Sequence, residues 1–214
     1  MATVVSPPEQ RVLLENITWE LYERLLEAHR DCSVPRFTYD RGRLEIMSPS
    51  AEHEQIKETV SLLINIVAEE MGINAEGFGS TTFRRRDIDR GFEPDACFYT
   101  ANLARVKGKT ELDLEIDPPP DVVVEIDITR SSLNKFAVFA HLGIPEVWRY
   151  DGERLRIMTL VDSDYVEAPQ SAMFPRVTSE RVSEFLEASR IEERLSWLRS
   201  VRDWARGLRE AGKV

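Results

Sequence analysis

The chain has 214 residues, 42% of them hydrophobic, and 38 Asp and Glu against 28 Lys and Arg give it a net charge of −10 at pH 7. This composition excludes a disordered chain and argues against tight, non-specific nucleic-acid binding, because phosphate contacts need Lys and Arg. The two cysteines give no support to a disulfide framework. We expect no membrane segment and a cytoplasmic location, because no apolar run approaches about 18 residues and no signal-like segment begins the chain.

The chain divides into three predicted parts. A polar stretch suggests a flexible N-terminal arm over residues 1–17, followed by an α/β domain over 18–178 and a helical extension over 179–214. Apolar residues recur along the extension from Phe185 to Leu208 and form more apolar surface than a lone terminal helix can hide. We therefore expect the extension to dock on the domain or on a second chain, which would give a homodimer.

The domain begins with a helix and a hairpin. Thr18 can cap a helix that runs to about Arg30, because apolar residues recur there at helical spacing. Two short strands, over 37–39 and 44–47, flank the sequence Asp40-Arg-Gly42, which is a typical hairpin turn. These elements are expected to pack against the core.

A long amphipathic helix and three strands come next. Apolar residues recur at intervals of three and four from His53 until Gly72 ends the helix. Strands are predicted over 74–78, 80–86 and 94–99, the first two joined through a glycine.

Arg84, Arg85 and Arg86 give the second of these strands a concentrated positive charge. Such a cluster is most often a solvated hairpin face. The alternative is that these three residues contact DNA phosphates.

The strongest functional signal lies in the next strand. Residues 122–128 are apolar almost without interruption, as expected of a strand buried on both faces, yet Glu125 and Asp127 lie within the run. Because side chains alternate along a strand, the two carboxylates share one face about 7 Å apart. Burying them without compensation is costly, so they should be paired, solvated at a strand end, or bound to a cation.

The last part of the domain is predicted to be a helix and a hairpin. Apolar residues over 133–142 indicate a helix that Gly143 ends. Strands over 145–151 and 154–160 are joined by Asp151-Gly152, and 165–167 can add a third strand.

Asp95 and Lys135 extend the acidic pair into a candidate metal site. Asp95 enters one strand, Glu125 lies on another, and Lys135 follows on the next element. Mg²⁺ takes oxygen ligands and commonly uses one or two carboxylates together with a substrate phosphate. A few carboxylates and one Lys are a minimal set for hydrolysing a phosphodiester.

These residues also carry a family resemblance. Pro94-Asp95, the run PPPDVVVEIDITRSSLNK, the following GIPEVWRYDG and the upstream LEIMSPSAEHEQI together resemble the Uma-type endonucleases of the PD-(D/E)xK superfamily over roughly residues 18–168. The resemblance implies a restriction-endonuclease-like α/β core, with a mixed central β-sheet flanked by helices. It also implies cleavage of DNA with Mg²⁺ (or Mn²⁺), and Asp95 and Glu125 as metal ligands.

The sequence departs from the superfamily motif at Asp127, which lies two positions after Glu125 where the motif has Lys. Lys135 on the following helix is the natural substitute for that catalytic Lys. Asp127 can ligate the metal, cap the next helix or hold Lys135. His53 lies near the buried face of the long helix and is favoured over the neighbouring acids Glu52, Glu54 and Glu58 for contact with the site.

Alternative interpretations stay open for each residue and for the whole protein. Asp95 can cap a turn, Glu125 can pair with an Arg in a structural bridge, Lys135 can be solvated, and His53 can belong to the scaffold. Three functions follow: a Mg²⁺-dependent endodeoxyribonuclease, a catalytically inactive nuclease fold that binds DNA or protein, and a metal-dependent hydrolase of small phosphate esters.

Overall fold

The computed structural model describes residues 9–129, 131 and 133–211 of the chain. In chain order the elements are β1 (Gln10–Leu14), α1 (Trp19–Ala28), β2 (Arg36–Asp40), β3 (Arg43–Ser48), α2 (Ala51–Met71), β4 (Glu76–Gly77), β5 (Phe83–Arg85), a 3₁₀ turn (Arg86–Ile88), β6 (Arg90–Phe92), β7 (Ala96–Tyr99), α3 (Leu103–Val106), β8 (Val122–Ile126), α4 (Lys135–Leu142), β9 (Glu146–Tyr150), β10 (Leu155–Val161), β11 (Asp164–Glu167), α5 (Ser179–Ile191) and α6 (Arg194–Ala211).

The strands form two sheets. The first is a five-stranded sheet in the order β1-β3-β2-β6-β5, and its neighbouring strands are antiparallel. The second is a six-stranded sheet in the order β11-β10-β9-β8-β7-β4, in which β8 and β9 are parallel and the other pairs antiparallel. The predicted α/β fold with a mixed sheet, flanking helices and a helical tail is confirmed. The sequence pattern did not distinguish the two sheets. The strands β4 and β5, predicted as consecutive strands joined through a glycine, belong to different sheets.

Strand β8 is buried on both faces, as its apolar run predicts. Val122, Val124 and Ile126 pack in one hydrophobic cluster with α2, α5 and α6. Val123 packs in the other cluster with the apolar residues of α4. Because side chains alternate along a strand, Glu125 points to the α4 side.

The predicted hairpin and long helix are both present. Arg41 and Gly42 have positive φ angles of 48° and 88°, which suit the tight two-residue turn between β2 and β3. The Ser50 hydroxyl accepts a hydrogen bond from the backbone N–H of His53 at 3.2 Å and begins α2. Gly72, with φ of 72°, ends α2 in the left-handed conformation. The cap fixes His53 in the first turn of α2.

The N-terminal arm predicted over residues 1–17 contains a strand at Gln10–Leu14. This segment is β1, which pairs with β3 so that Arg11 lies opposite Met47. The Arg11 side chain is only 6% exposed and pairs with the nearby Glu9 and with two carboxylates from distant parts of the chain, Glu45 and Asp127. A short polar sequence does not reveal such partners. The rest of the predicted arm, residues 1–8, lies outside the described part of the chain.

The C-terminal helices dock on the domain. Trp197 of α6 is buried, and its indole N–H donates to the carbonyl of Phe185 at 2.7 Å. Arg202 and Arg206 pair with Glu70 on α2 at 2.8 Å each. Contacts within one chain therefore bury much of the apolar face of the tail, and a homodimer through these helices stays a prediction. Within the described residues, no helix is both long enough and apolar enough to cross a membrane.

We predict that Trp197→Ala lowers the free energy of unfolding by about 3 kcal/mol, because it opens a cavity in the core and removes a buried hydrogen bond. Leu195→Ala is the matched control on the same helix, since Leu195 is 67% exposed. It should cost less than about 0.5 kcal/mol. Urea denaturation of both variants measures the difference, and equal losses would show that α6 does not dock on the domain.

Candidate active site

The candidate site lies where β7, β8 and β9 meet the start of α4. Asp95 immediately precedes β7, whose antiparallel register with β8 places Ala96 opposite Val124, and hence Asp95 beside Glu125. The parallel register of β8 and β9 pairs Glu125 with Arg149. Lys135 is the first residue of α4. The sheet therefore brings two of the predicted carboxylates together and sets the predicted lysine next to them.

Asp95 is a buried carboxylate with three donors around it. Its Oδ1 accepts from Arg36, by a short ion pair, and from His53 Nε2 at 2.9 Å, while its Oδ2 accepts from the backbone N–H of Ile126 at 2.6 Å. The Nη1 of Arg36 also lies 3.1 Å from His53 Nε2. Burial alone would raise the pKa of Asp95, but the hydrogen bond and charge of His53, followed by the charge of Arg36, lower that pKa to about 2. Asp95 is thus held as an anion.

His53 connects Asp95 to the N-terminal segment. Its Nδ1 lies 2.7 Å from Glu9 Oε2, and its Nε2 faces Asp95. Burial alone would lower the pKa of the imidazole, but the two carboxylates raise it to about 9. The ring is therefore charged at neutral pH and donates to both partners. The structure places His53 against Asp95, and its role at the site stays a prediction.

Glu125 and Lys135 form a buried ion pair. Lys135 Nζ lies 2.5 Å from Glu125 Oε2, and the two residues are 9% and 2% exposed. Glu125 Oε1 is buried and has no hydrogen-bond partner among the residues that the structure describes. Burial raises the pKa of Glu125, and the charge of Lys135 opposes this shift. For Lys135, burial alone would lower the pKa, but the nearby carboxylates Glu125, Asp127 and Asp95 raise it.

Asp127 follows β8 directly and has both carboxylate oxygens engaged. Oδ1 accepts from Arg11 Nη2 at 3.2 Å, and Oδ2 accepts from Arg149 Nε at 2.8 Å. The structure thus brings Asp127 to the site between two guanidinium groups. Its predicted role as a metal ligand stays a prediction, and it does not contact Lys135 by a hydrogen bond.

Arg11 joins the N-terminal strand to the site. Its Nε donates to Glu9 at 2.6 Å, its Nη1 to Glu45 at 2.8 Å, and its Nη2 to Asp127. Ser131 also donates to Glu45, at 2.9 Å. All three guanidinium nitrogens of Arg11 are therefore bonded within the protein.

Several charged residues at this site were not predicted from the sequence, namely Glu9, Arg11, Arg36, Glu45 and Arg149. A signal existed for one of them. Glu45 interrupts the apolar run of β3 just as Glu125 interrupts that of β8, and the same rule would have marked it as a buried acid. The arginines carry no such signal, because the carboxylates that draw each of them to the site are far away in sequence: Glu45 and Asp127 for Arg11, Asp95 for Arg36 and Asp127 for Arg149.

A cleft of about 290 Å³ opens beside Glu125. Its wall includes Glu125, Asp127, Lys135 and Arg149, together with apolar side chains such as Phe136. A cleft of this size can admit part of a substrate to the carboxylates. The residues predicted on β8 and α4 therefore share one opening.

Arg84, Arg85 and Arg86 lie away from this cleft. They are on β5 and the turn after it, at the edge of the first sheet opposite to β1. Each pairs with a nearby carboxylate: Arg84 and Arg86 with Glu23, and Arg85 with Asp87. The structure does not bring these arginines to the site, and their contact with DNA stays a prediction.

The described residues of the site offer two carboxylates to a hard cation but not a complete set of protein ligands. Glu125 Oε1 is a buried oxygen with no partner in the described part of the chain, and Asp95 lies beside Glu125, just before the neighbouring strand β7. Among residues 9–129, 131 and 133–211, however, no group of three His, Cys, Asp or Glu side chains is placed to hold a metal ion alone. This set suits an ion such as Mg²⁺, which completes its ligands with water and substrate phosphate.

Comparisons with known proteins agree with the resemblance in the sequence. A model of the Uma2 family, described as "Putative restriction endonuclease", matches residues 19–191. One similar solved structure, from Anabaena variabilis ATCC 29413, is described as a "putative nuclease belonging to DUF820", and has a TM-score of 0.52. The two chains are 16% identical over 71% of this chain and 92% of that one, so this likeness supports the fold alone. A search of curated proteins finds no match.

We predict that Arg36→Met lowers the free energy of unfolding by about 3 kcal/mol, because it removes one partner of a buried ion pair and leaves the Asp95 charge poorly compensated. Arg84→Met is the control, since Arg84 is about half exposed and lies 3.6 Å from Glu23. It should cost less than about 1 kcal/mol. Chemical denaturation distinguishes the two, and a negligible loss for Arg36→Met would contradict the proposed compensation of Asp95.

Proposed function

This chain belongs to the Uma2 family, and from that membership we propose that it is a Mg²⁺-dependent endonuclease that hydrolyses DNA phosphodiester bonds. The observation that carries the proposal is the state of Glu125. One of its oxygens pairs with Lys135, and the other is a buried oxygen without a partner in the described residues, beside a cleft and the anionic Asp95.

In this proposal Asp95 and Glu125 hold the ion. When bound, Mg²⁺ supplies Lewis-acid chemistry, which lowers the pKa of an attacking water and neutralises charge on the reacting phosphate. Two carboxylates leave the remaining positions for water and phosphate oxygens. The pKa of Asp95, lowered to about 2, keeps this ligand charged at physiological pH.

The chain's own residues position the reactants. Lys135 lines the cleft, and its ammonium can donate a hydrogen bond to the attacking water or to a phosphate oxygen while it remains near Glu125. Arg36 and His53 fix the orientation of Asp95 through charged hydrogen bonds. Lys135 thus occupies the role that the superfamily motif gives to the residue at Asp127.

A catalytically inactive nuclease fold that binds DNA or protein is the second candidate. The specific observation in its favour is that both proposed metal ligands already have cationic partners: Arg36 and His53 bond to Asp95, and Lys135 bonds to Glu125. Such a network can compensate the buried acids without a metal. Metal binding distinguishes the candidates.

The finer features of the proposal concern the substrate and the assembly. The proposed substrate is DNA, and we propose additional phosphate contacts by Arg84, Arg85 and Arg86. We also propose a homodimer through the C-terminal helices and a cytoplasmic location. Each of the three arginines pairs with a carboxylate in the structure, which weakens the net charge that they offer to DNA.

We predict that Glu125→Gln and Lys135→Met each lower Mg²⁺-dependent cleavage of plasmid DNA by at least about 100-fold, since one loses a ligand charge and the other a donor at the reacting phosphate. Calorimetric titration with Mn²⁺ separates the two roles. Glu125→Gln should weaken Mn²⁺ binding, whereas Lys135→Met should retain it.

Lys107→Met is the control, because Lys107 is exposed and lies beyond α3, outside the cleft. It should cleave like the unmodified protein. Unchanged cleavage by Glu125→Gln, or a wild-type protein that binds no Mn²⁺, would overturn the nuclease proposal and favour the inactive fold.

A further inference from the structure

We infer that Arg149 binds a phosphate group of the substrate in the cleft, and that Asp127 is a positioning residue that orients the guanidinium for this contact. The inference rests on the proposed function, because it names the group that would receive the anionic substrate of that site. It also gives Asp127 a task other than metal ligation.

The position of Arg149 suits a substrate contact. Its strand pairs in parallel with β8, so Arg149 is in register with Glu125 and lines the same cleft. About a third of its side chain is exposed, against 6% for Arg11. Arg149 is therefore a cation of the site that a substrate can reach.

The donor pattern of Arg149 leaves an open face. Its Nε donates to Asp127 Oδ2 at 2.8 Å. Within the part of the chain that the structure describes, no side chain accepts from its two terminal amino groups, whereas all three nitrogens of Arg11 are bonded. The two terminal N–H groups of a guanidinium form a fork that matches two phosphate oxygens.

The guanidinium is also held in place before any ligand arrives. Asp127 holds the Arg149 guanidinium through Nε, and the guanidinium carbon Cζ lies 5.7 Å from the centre of the Phe136 ring. Asp127 is itself fixed by Arg11 on its other oxygen. A pre-oriented side chain loses less conformational freedom on binding, which favours affinity.

In the described part of the chain, Arg149 has one carboxylate partner, Asp127, which Arg11 also contacts. Arg11 has two further carboxylates, Glu9 and Glu45, so the terminal amino groups of Arg149 are the donors that this face offers to an anion. Glu125, the other carboxylate of the cleft wall, is paired with Lys135. The phosphodiester of DNA is the anion that the proposed reaction brings here.

The test is the affinity for a short fluorescein-labelled DNA duplex, measured by fluorescence anisotropy. The buffer contains EDTA so that no cleavage occurs. Arg149→Gln should weaken binding about tenfold and reduce the salt dependence of binding by about one phosphate contact. Arg149→Lys keeps the charge without the fork and should lose about threefold. If Arg149→Gln fails to fold, the affinity of Arg149→Lys tests the inference instead.

Arg181→Gln is the matched control. Arg181 also pairs with one carboxylate, Glu184, and also lies over an aromatic ring, Phe185, but it is on α5, which packs against the other face of the second sheet. Its replacement should leave duplex affinity unchanged.

The role of Asp127 is tested by a double-mutant cycle. Asp127→Asn should weaken duplex binding in the unmodified protein but not in the Arg149→Gln background, because its effect acts through Arg149. A general structural role would weaken both. Additive losses would therefore overturn the assignment of Asp127.

Two results would overturn the inference for Arg149: duplex affinity of Arg149→Gln within about twofold of the unmodified protein, or no duplex binding by the unmodified protein at low salt. Failure of the proposed function has a different signature. A protein that binds DNA through Arg149 but does not cleave it with Mg²⁺ would refute the nuclease and leave this inference standing.

Discussion

The burial of Asp95 and Glu125 in one sheet is the constraint on which the rest of the site depends. Each residue is 2% exposed, and isolated charges at such positions would be too costly to keep. Their compensation comes from β2 through Arg36, from α2 through His53 and from α4 through Lys135. Three elements that are distant in sequence are thus attached to the second sheet by ion pairs with its two buried carboxylates.

The same constraint explains why the N-terminal strand belongs to the site. Glu9 accepts from His53, and Arg11 on β1 spans Glu45 and Asp127. The first sheet is therefore connected to the second through charged groups as well as through apolar packing. Removing one member of a buried charged network leaves its partners without a compensating charge. We therefore expect the effects of substitutions in this network on stability to be coupled rather than independent.

The sequence predicted the parts of the site that local patterns encode. An apolar run with embedded acids located β8 and Glu125, and helical spacing placed His53 near the buried face of α2. Lys135 was assigned from the family motif, and its Nζ lies 2.5 Å from Glu125. Arg11 and Arg149 were not predicted, because an arginine in a short polar or aromatic strand gives no local sign of a distant carboxylate.

The division into two sheets was missed for a related reason. Short strands such as β4 and β5 are adjacent in sequence but pair with different partners, and only the long-range register decides between them. The alternation of side chains within such strands is too brief to distinguish the two arrangements.

The proposed nuclease activity depends on a divalent cation held jointly by Asp95 and Glu125. A crystal of the protein soaked in Mn²⁺, with anomalous data collected at the manganese edge, tests it most directly. We expect one anomalous peak within bonding distance of a carboxylate oxygen of Asp95 and of Glu125 Oε1. An absence of density at this position, with Arg36 and Lys135 still paired to the two acids, would contradict it.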